Sequence, residues 1–241
     1  MREIKSDMNK LIVVTGGTKG IGRSVIEKFA AQGFDIVTCA RNTKELDALK
    51  ESIEKKYSVK VYTRSTDMSD KTQVKAFVDF IGEFHRPIDV LVNNAGFFIP
   101  GEISTEQEGA LESMINANLY SAYNLTRGLV GEMKARKAGH IFNMCSIASF
   151  KAYANGGSYA ISKFALLGFS KCLREELKDF NIRVTAVMPG ATKTQSWDGV
   201  DLPDDRFIPV EDIAETIFSA YSLSGRSVVE EIVIRPQLGD I

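Results

Sequence analysis

Apolar runs of strand length recur at 11–15, 36–40, 59–63, 88–92, 140–145, 182–187 and 228–234, and stretches of helical periodicity separate them. The runs are continuous rather than alternating in polarity. Strands of that kind are covered on both faces, as in a parallel sheet. Strand and helix alternate almost throughout, which predicts an α/β fold: a doubly wound parallel sheet of about seven strands with helices on both faces. In the first crossover, Ile21, Val25, Ile26 and Phe29 repeat at helical spacing and Gly33 follows as the C-terminal stop. No Pro/Gly/Ser-rich linker and no internal repeat divides the chain, so one domain over 1–241, carrying every site, is expected.

Two helical stretches are apolar around most of their circumference. One is 110–133, with Leu111, Met114, Ile115, Leu119, Tyr123, Leu125, Leu129 and Val130; the other is 159–177, with Ile161, Phe164, Leu166, Leu167, Phe169 and Leu173. A helix packed on a sheet needs one apolar stripe, so the surplus predicts a homodimer or homotetramer formed through these helices.

Composition narrows the choice of partner. The 241 residues are 44% hydrophobic, enough for a substantial core, and 30 Lys and Arg against 31 Asp and Glu give a net charge of −1. That charge provides no field for gathering nucleic acid or an anionic membrane, so small molecules are the expected partners. Cys39, Cys145 and Cys172 are an odd set without metal-ligand spacing, and free thiols in a reducing cytosol fit them best. No apolar run approaches the roughly 20 residues that cross a bilayer. Residues 1–10 are too polar for a signal peptide, and Met8 marks the opening residues as a short tail or an alternative start. A cytoplasmic protein is expected.

Directly after the first strand comes TGGTKGIG, 15–22, leading into the first helix. Glycines let the backbone approach a pyrophosphate, while the N–H groups and dipole of the helix start favour its charge. The spacing of Gly16, Gly20 and Gly22 differs from G-x-G-x-x-G, and a glycine-rich turn alone is as often an ordinary tight turn. The strand–loop–helix context turns the reading toward a Rossmann-type dinucleotide site. An NAD site usually ends its second strand with a carboxylate for the adenosine ribose. Here that end reads Cys39-Ala40-Arg41-Asn42. Arg41, joined by Lys19 from the loop, suits a 2′-phosphate, so NADP(H) is the expected cofactor. The competing reading makes both of them solvated surface charges.

Tyr159 and Lys163 lie four residues apart, on one face of a helix. Such a pair is common by chance; Ser146 adds weight, because it ends a predicted strand, where open α/β sheets place their catalysts. A free tyrosine has a pKa of about 10, and a neighbouring ammonium with an oxidised nicotinamide would favour the phenolate. Lys163 is therefore expected to lower the Tyr159 pKa, with Ser146 orienting a substrate oxygen while Tyr159 exchanges its proton.

Together these motifs, in their order and at their intervals, make the chain resemble the single-domain short-chain dehydrogenases/reductases over nearly its whole length. TGGTKGIG is similar to the family's cofactor loop, which places Gly16, Thr18, Lys19, Gly20, Ile21 and Gly22 on the cofactor. Asn93-Asn94-Ala95-Gly96 resembles its fourth-strand motif, and Ser146, Tyr159 and Lys163 its catalytic set. The resemblance implies a catalytic asparagine at Asn118, holding a water that links Lys163 to solvent. It implies a nicotinamide-side segment at Pro189, Gly190, Thr192 and Thr194, and an adenine contact at Asp67. Lys163 would also bind the nicotinamide ribose. Read locally, Asn118 is a helix-surface or capping residue.

The resemblance implies hydride transfer between NADP(H) and a carbonyl or alcohol. Phe97, Phe98, Ile99, Phe150, Tyr153 and Trp197 are the expected pocket walls, although each read singly is as well placed in a core or interface. The 229–241 tail resembles bacterial members of the family that reduce pterin-like substrates, with Asp240 as a candidate anchor for amino groups. A 3-oxoacyl-carrier-protein reductase is the alternative enzyme, disfavoured by Phe97-Phe98-Ile99 and the charged tail. A non-catalytic NADP(H)-sensing protein is the alternative of another class, and it would be expected to lack one of the three catalytic residues. Only His85 and His140 are present, no G-x-S-x-G elbow occurs, and no ligand cluster supports a metal site.

Overall fold

A computed structural model describes residues 9–194, 199 and 202–241. Seven parallel strands form one sheet in the order β3-β2-β1-β4-β5-β6-β7. They are β1 (Leu11–Thr15), β2 (Asp35–Ala40), β3 (Val61–Ser65), β4 (Val90–Asn93), β5 (Gly139–Met144), β6 (Ile182–Pro189) and β7 (Glu231–Ile234). The order reverses between β1 and β4, where open α/β sheets leave a crevice at the carboxyl ends of their strands.

Successive strand residues point to opposite layers. Ile12, Val14, Ile36, Val90 and Val92 pack on one face against α1 (Gly20–Ala30), α2 (Thr43–Lys56) and α7 (Val210–Ser222). Leu11, Val13, Val37, Leu91 and Ile141 pack on the other against α3 (Lys71–Gly82), α5 (Ser121–Arg136) and α6 (Gly157–Leu177). Burial on both faces explains why the strands read as unbroken apolar runs. Caps set the helix starts: the Asn42 side chain accepts the Lys44 and Glu45 amides, and Asp70 accepts those of Thr72 and Gln73.

Most boundaries shift from expectation by a residue or two, β4 starting at Val90 rather than 88 and β6 running on to Pro189. β3 begins at Val61 rather than 59, because its ladder starts at Ile36↔Val61 while Val59 turns back onto the Tyr57 carbonyl. β7 is confined to Glu231–Ile234, the stretch that pairs with β6. The 110–133 helix is interrupted: α4 (Ala110–Ile115) passes through a π-helical segment, Asn116–Tyr120, before α5 begins. That wider turn rotates the following residues relative to a continuous helix. Leu111, Tyr120, Tyr123, Ile161 and Phe164 of these two helical stretches are exposed. Among the described residues no helix is long and apolar enough to cross a membrane.

At the opposite end of the sheet, Asp35 is buried at the start of β2. Its carboxylate accepts hydrogen bonds from the Lys60 amide (2.8 Å), Asn9 Nδ2 (3.0 Å) and Arg86 Nη1 (2.7 Å). Burial alone would raise its pKa; those bonds and the Arg86 charge outweigh it and hold the group below 3.8. A carboxylate depressed in the folded state stabilises the fold above its unfolded pKa and loses that contribution as pH falls through the folded value. Arg86→Ala should cost about 3 kcal/mol at pH 7, in the range for breaking a buried pair, and less as pH drops below about 4. Urea denaturation at both pH values checks this; an equal loss at both would contradict it.

Candidate active site

The loop between β1 and α1 is held by its own backbone and by β4. Gly16 and Gly20 adopt left-handed φ values of 68° and 52°, which glycine takes without strain. The Gly16 and Gly17 amides donate to the Cys39 carbonyl at 2.9 and 3.3 Å. Thr15 Oγ1 accepts the amides of Asn94 and Ala95 at 3.0 and 2.9 Å, and Asn94 Nδ2 donates back to the Thr15 and Gly16 carbonyls at 2.8 and 3.1 Å. A Cβ on Gly22 would lie 2.3 Å from the Gly16 carbonyl oxygen and 2.5 Å from Asn94 Nδ2, so only glycine permits this approach.

Two adjoining cavities of about 620 Å³ each open above this loop. Gly16, Thr18, Lys19, Gly20, Ile21, Arg41, Asp67, Asn94, Ala95, Gly96 and Thr194, all candidate cofactor residues, line the first. Gly22 backs it rather than lining it. Ser146, Tyr159, Lys163, Phe97, Tyr153, Pro189, Gly190, Thr192 and Thr194 line the second, and Ile21, Asn94, Gly96, Phe97 and Thr194 are shared by both. One continuous cleft thus runs from Arg41 to Tyr159. Its first half has what a dinucleotide requires: close-packed glycines, the start of α1 and two cations, Arg41 just after β2 and Lys19 in the glycine loop.

Tyr159 and Lys163 stand on the first turns of α6, opposite Ser146 at the end of β5. Ser146 Oγ accepts the Ala148 amide at 3.1 Å, leaving its hydroxyl hydrogen to donate into the cleft. Lys163 is only 6% exposed; its Nζ donates to the Met144 carbonyl at 2.8 Å and sits 5.6 Å from the Tyr159 ring centroid. Burial brings its pKa down to about 8. The Tyr159 pKa, expected to fall, is instead raised: burial dominates, while the Ser146 hydrogen bond pulls the other way. The physical reason is that the ammonium lies over the ring and is bonded to a carbonyl, not to the phenol oxygen. Tyr159 is therefore a neutral phenol, which can give a proton.

Asn118, in the π-helical segment, lies behind the cleft. Its amide hydrogens go to the Phe97 carbonyl (3.0 Å) and the Ser162 hydroxyl (2.9 Å), and its Oδ1 accepts the Phe97 amide (2.9 Å). A water bridging toward Lys163 could take only the remaining lone pairs of Oδ1 or the main-chain carbonyl. A Cβ on Gly96 would come within 2.7 Å of Asn118 Oδ1 and 3.7 Å of Lys163 Nζ, so the three converge.

Phe150 does not line the cleft. The Ser146–Ser149 capping box winds 147–149 into a 3₁₀ turn that brings Ile147 to the cavity and leaves Phe150 half exposed outside it. Trp197 lies outside the described residues. Phe98 is an aromatic wall, edge-on to Tyr159 at 4.8 Å between centroids. Asp240 reaches the far end of the cavity, held by Arg235 and by Lys151 at 3.4 Å. Those cations keep its carboxyl below the usual range. His140 is buried, bonded to Thr185 Oγ1 at 2.8 Å and stacked on Phe142, and burial drops its pKa to about 2. Among the described residues no three metal-ligating side chains cluster.

Sequence reasoning missed several contributors. Thr15 opens the TGGTKGIG run, but its bracing of β4 does not show in the motif, and Thr66, Ser69 and Lys151, which line the cleft, carry no motif of their own. Glu106 accepts the Ser158 amide and hydroxyl and ties the 97–108 segment to the start of α6. Glu45 also lines the cofactor half, and its signal was present: a carboxylate three residues after the Asn42 cap.

The description "short chain dehydrogenase" matches residues 10–203. This chain belongs to the short-chain dehydrogenase family. It is 34% identical to the sepiapterin reductase of Chlorobaculum tepidum, over 97% of this chain and 99% of that one. It is also 34% identical to the 3-oxoacyl-[acyl-carrier-protein] reductase of Chlamydia trachomatis, over 78% of this chain and 75% of that one. Among solved structures, the L-sorbose reductase of Gluconobacter frateurii, in complex with NADPH and L-sorbose, superposes with a TM-score of 0.88 at 29% identity, covering 95% of both chains.

The glycine contact yields a direct prediction. Gly22→Ala should lower stability by about 1–3 kcal/mol, the scale of overpacking, because backbone carbonyl and amide atoms must give way. Denaturation that leaves the midpoint unchanged would contradict the close approach.

Proposed function

We propose that this protein is an NADPH-dependent carbonyl reductase acting on a small, flat or apolar carbonyl compound, with a pterin-like compound favoured. One observation carries the reading: Ser146, Tyr159 and Lys163 converge in a cleft continuous with the glycine loop. NADPH bound there supplies the hydride. Arg41 and Lys19 favour the 2′-phosphate; a charge-assisted hydrogen bond contributes about 1.5–3 kcal/mol, or roughly 10- to 150-fold in affinity.

The substrate oxygen sits between the hydroxyls of Ser146 and Tyr159. Ser146 donates a hydrogen bond that polarises the carbonyl, and Tyr159 gives its proton to the alkoxide as it forms. The raised Tyr159 pKa keeps that proton in place until then. The Lys163 ammonium, over the Tyr159 ring, stabilises the resulting phenolate by its charge, and the phenolate regains its proton from solvent. Asn118 braces Phe97, at the rim of the cleft, against α6 through Ser162.

Phe97, Phe98 and Tyr153 offer flat apolar surface, and the Asp240 carboxylate offers an acceptor for ring amino groups. The match over nearly the full length of the sepiapterin reductase supports the pterin-like reading over an acyl-carrier substrate, whose relative is matched over a shorter stretch. The presence of all three catalytic side chains argues against a non-catalytic sensor. The exposed apolar residues of α4–α6 support assembly into a homodimer or homotetramer.

An NADPH-oxidation screen over pterin, diketone, quinone, sugar and 3-oxoacyl carbonyls tests the function. The expected result is turnover with the pterin and a lower KM for NADPH than for NADH. Tight NADPH binding with no turnover on any carbonyl would overturn the enzyme reading, and equal KM values would overturn the cofactor preference.

A further inference from the structure

The adenosine end of the cleft holds two cations in different states. Arg41 is exposed and forms no ion pair with any described residue. Lys19 is engaged: its Nζ lies 2.7 Å from Glu45 Oε1. Glu45 stands in the first turn of α2 and faces the same cavity as Arg41, Lys19 and Asn42. Its carboxylate also accepts from the Thr18 hydroxyl and from Asn42 Nδ2, the latter at 3.3 Å. Lys19, helped by these donors, holds Glu45 below its ordinary pKa, so it is an anion throughout the neutral range.

The start of α2 offers an incoming phosphate little else. The Lys44 and Glu45 amides, which could have bound an anion, are taken by Asn42 Oδ1 at 3.0 and 3.3 Å. A 2′-phosphate therefore depends on side-chain cations, and the one in the glycine loop is already paired. Lys19 and Thr18 of the glycine loop and Asn42, the cap of its own helix, hold Glu45 at the cavity wall. A phosphate on Lys19 then shares that ammonium with a fixed carboxylate, well inside the screening length of about 10 Å at 0.1 M salt.

We propose that Glu45 is a specificity-determining residue of the cofactor site: by holding Lys19 and placing a negative charge beside the 2′-phosphate, it weakens binding of NADP(H) relative to NAD(H). The proposal rests on the reading of this cleft as an NADP(H) site. Glu45 acts through Lys19 and through its own field; it takes no part in the proton transfers at Tyr159.

The test measures binding without turnover. Titration calorimetry at 50 mM salt compares 2′,5′-ADP (adenosine 2′,5′-bisphosphate) with 5′-AMP, two fragments that differ only in the phosphate at issue. Wild type is expected to prefer 2′,5′-ADP; equal affinities there would refute the NADP(H) reading and the proposal with it. With that preference in place, Glu45→Gln, which keeps the shape and removes the charge, should bind 2′,5′-ADP about five-fold more tightly, the scale of an exposed ion pair. Its affinity for 5′-AMP should stay within about two-fold of wild type. Glu45→Ala should change the ratio of the two affinities in the same direction. Adding Lys19→Gln to Glu45→Gln should cancel most of the gain. An unchanged or weakened 2′,5′-ADP affinity in Glu45→Gln, or an equal gain for both fragments, would overturn the role assigned to Glu45.

Discussion

Everything at the site depends on how closely the backbone packs where β1 turns into α1. Gly22 lies against the Gly16 carbonyl with no room for a Cβ, and Asn94 clasps the Thr15 and Gly16 carbonyls from β4. This contact spans the point where strand order reverses, so it fixes the glycine loop relative to β4 and Gly96. Gly96 in turn packs beside Asn118 and Lys163. The distance between the cofactor's end of the cleft and the proton donor is thereby set by main-chain contacts rather than by flexible side chains.

A buried phenol and a buried amine make chemical sense on that scaffold. Each is costly in its charged form when desolvated, so burial raises the tyrosine and lowers the lysine. The two pKa values start nearly equal and move apart, the tyrosine now above the lysine, so a phenolate left after proton transfer is a stronger base than the lysine amine. A reductase needs a protonated acid waiting for its substrate. The geometry supplies that, with Ser146 turned by its own backbone contact so that its hydrogen faces the cleft.

Much of this was legible in the sequence because its physical causes are local. β1 was readable to the residue, since a five-residue strand buried on both faces must be apolar throughout. The glycine loop was legible from its place between a strand and a helix, and the pairing of Tyr159 with Lys163 from its place downstream of Ser146. Other features depend on distant partners. The π-helical turn at Asn116–Tyr120 leaves no mark in composition. The outward position of Phe150 follows from a two-serine cap whose consequence is three-dimensional. The direction of the Tyr159 shift was misread because spacing places Lys163 near the ring but does not reveal that Met144 holds its ammonium. Glu45 reads locally as part of a helix start, and its pairing with Lys19 across the cavity depends on how the glycine loop folds back.

The central claim is that Tyr159 gives the proton while the cofactor site stands apart from it. The most direct measurement is turnover and NADPH affinity of Tyr159→Phe, which removes one oxygen and keeps the ring against Phe98. The account predicts a fall in turnover of about 10²- to 10⁴-fold, the range for a lost general acid, with NADPH affinity nearly intact. A variant that keeps most of its activity would contradict the account and place the acid elsewhere.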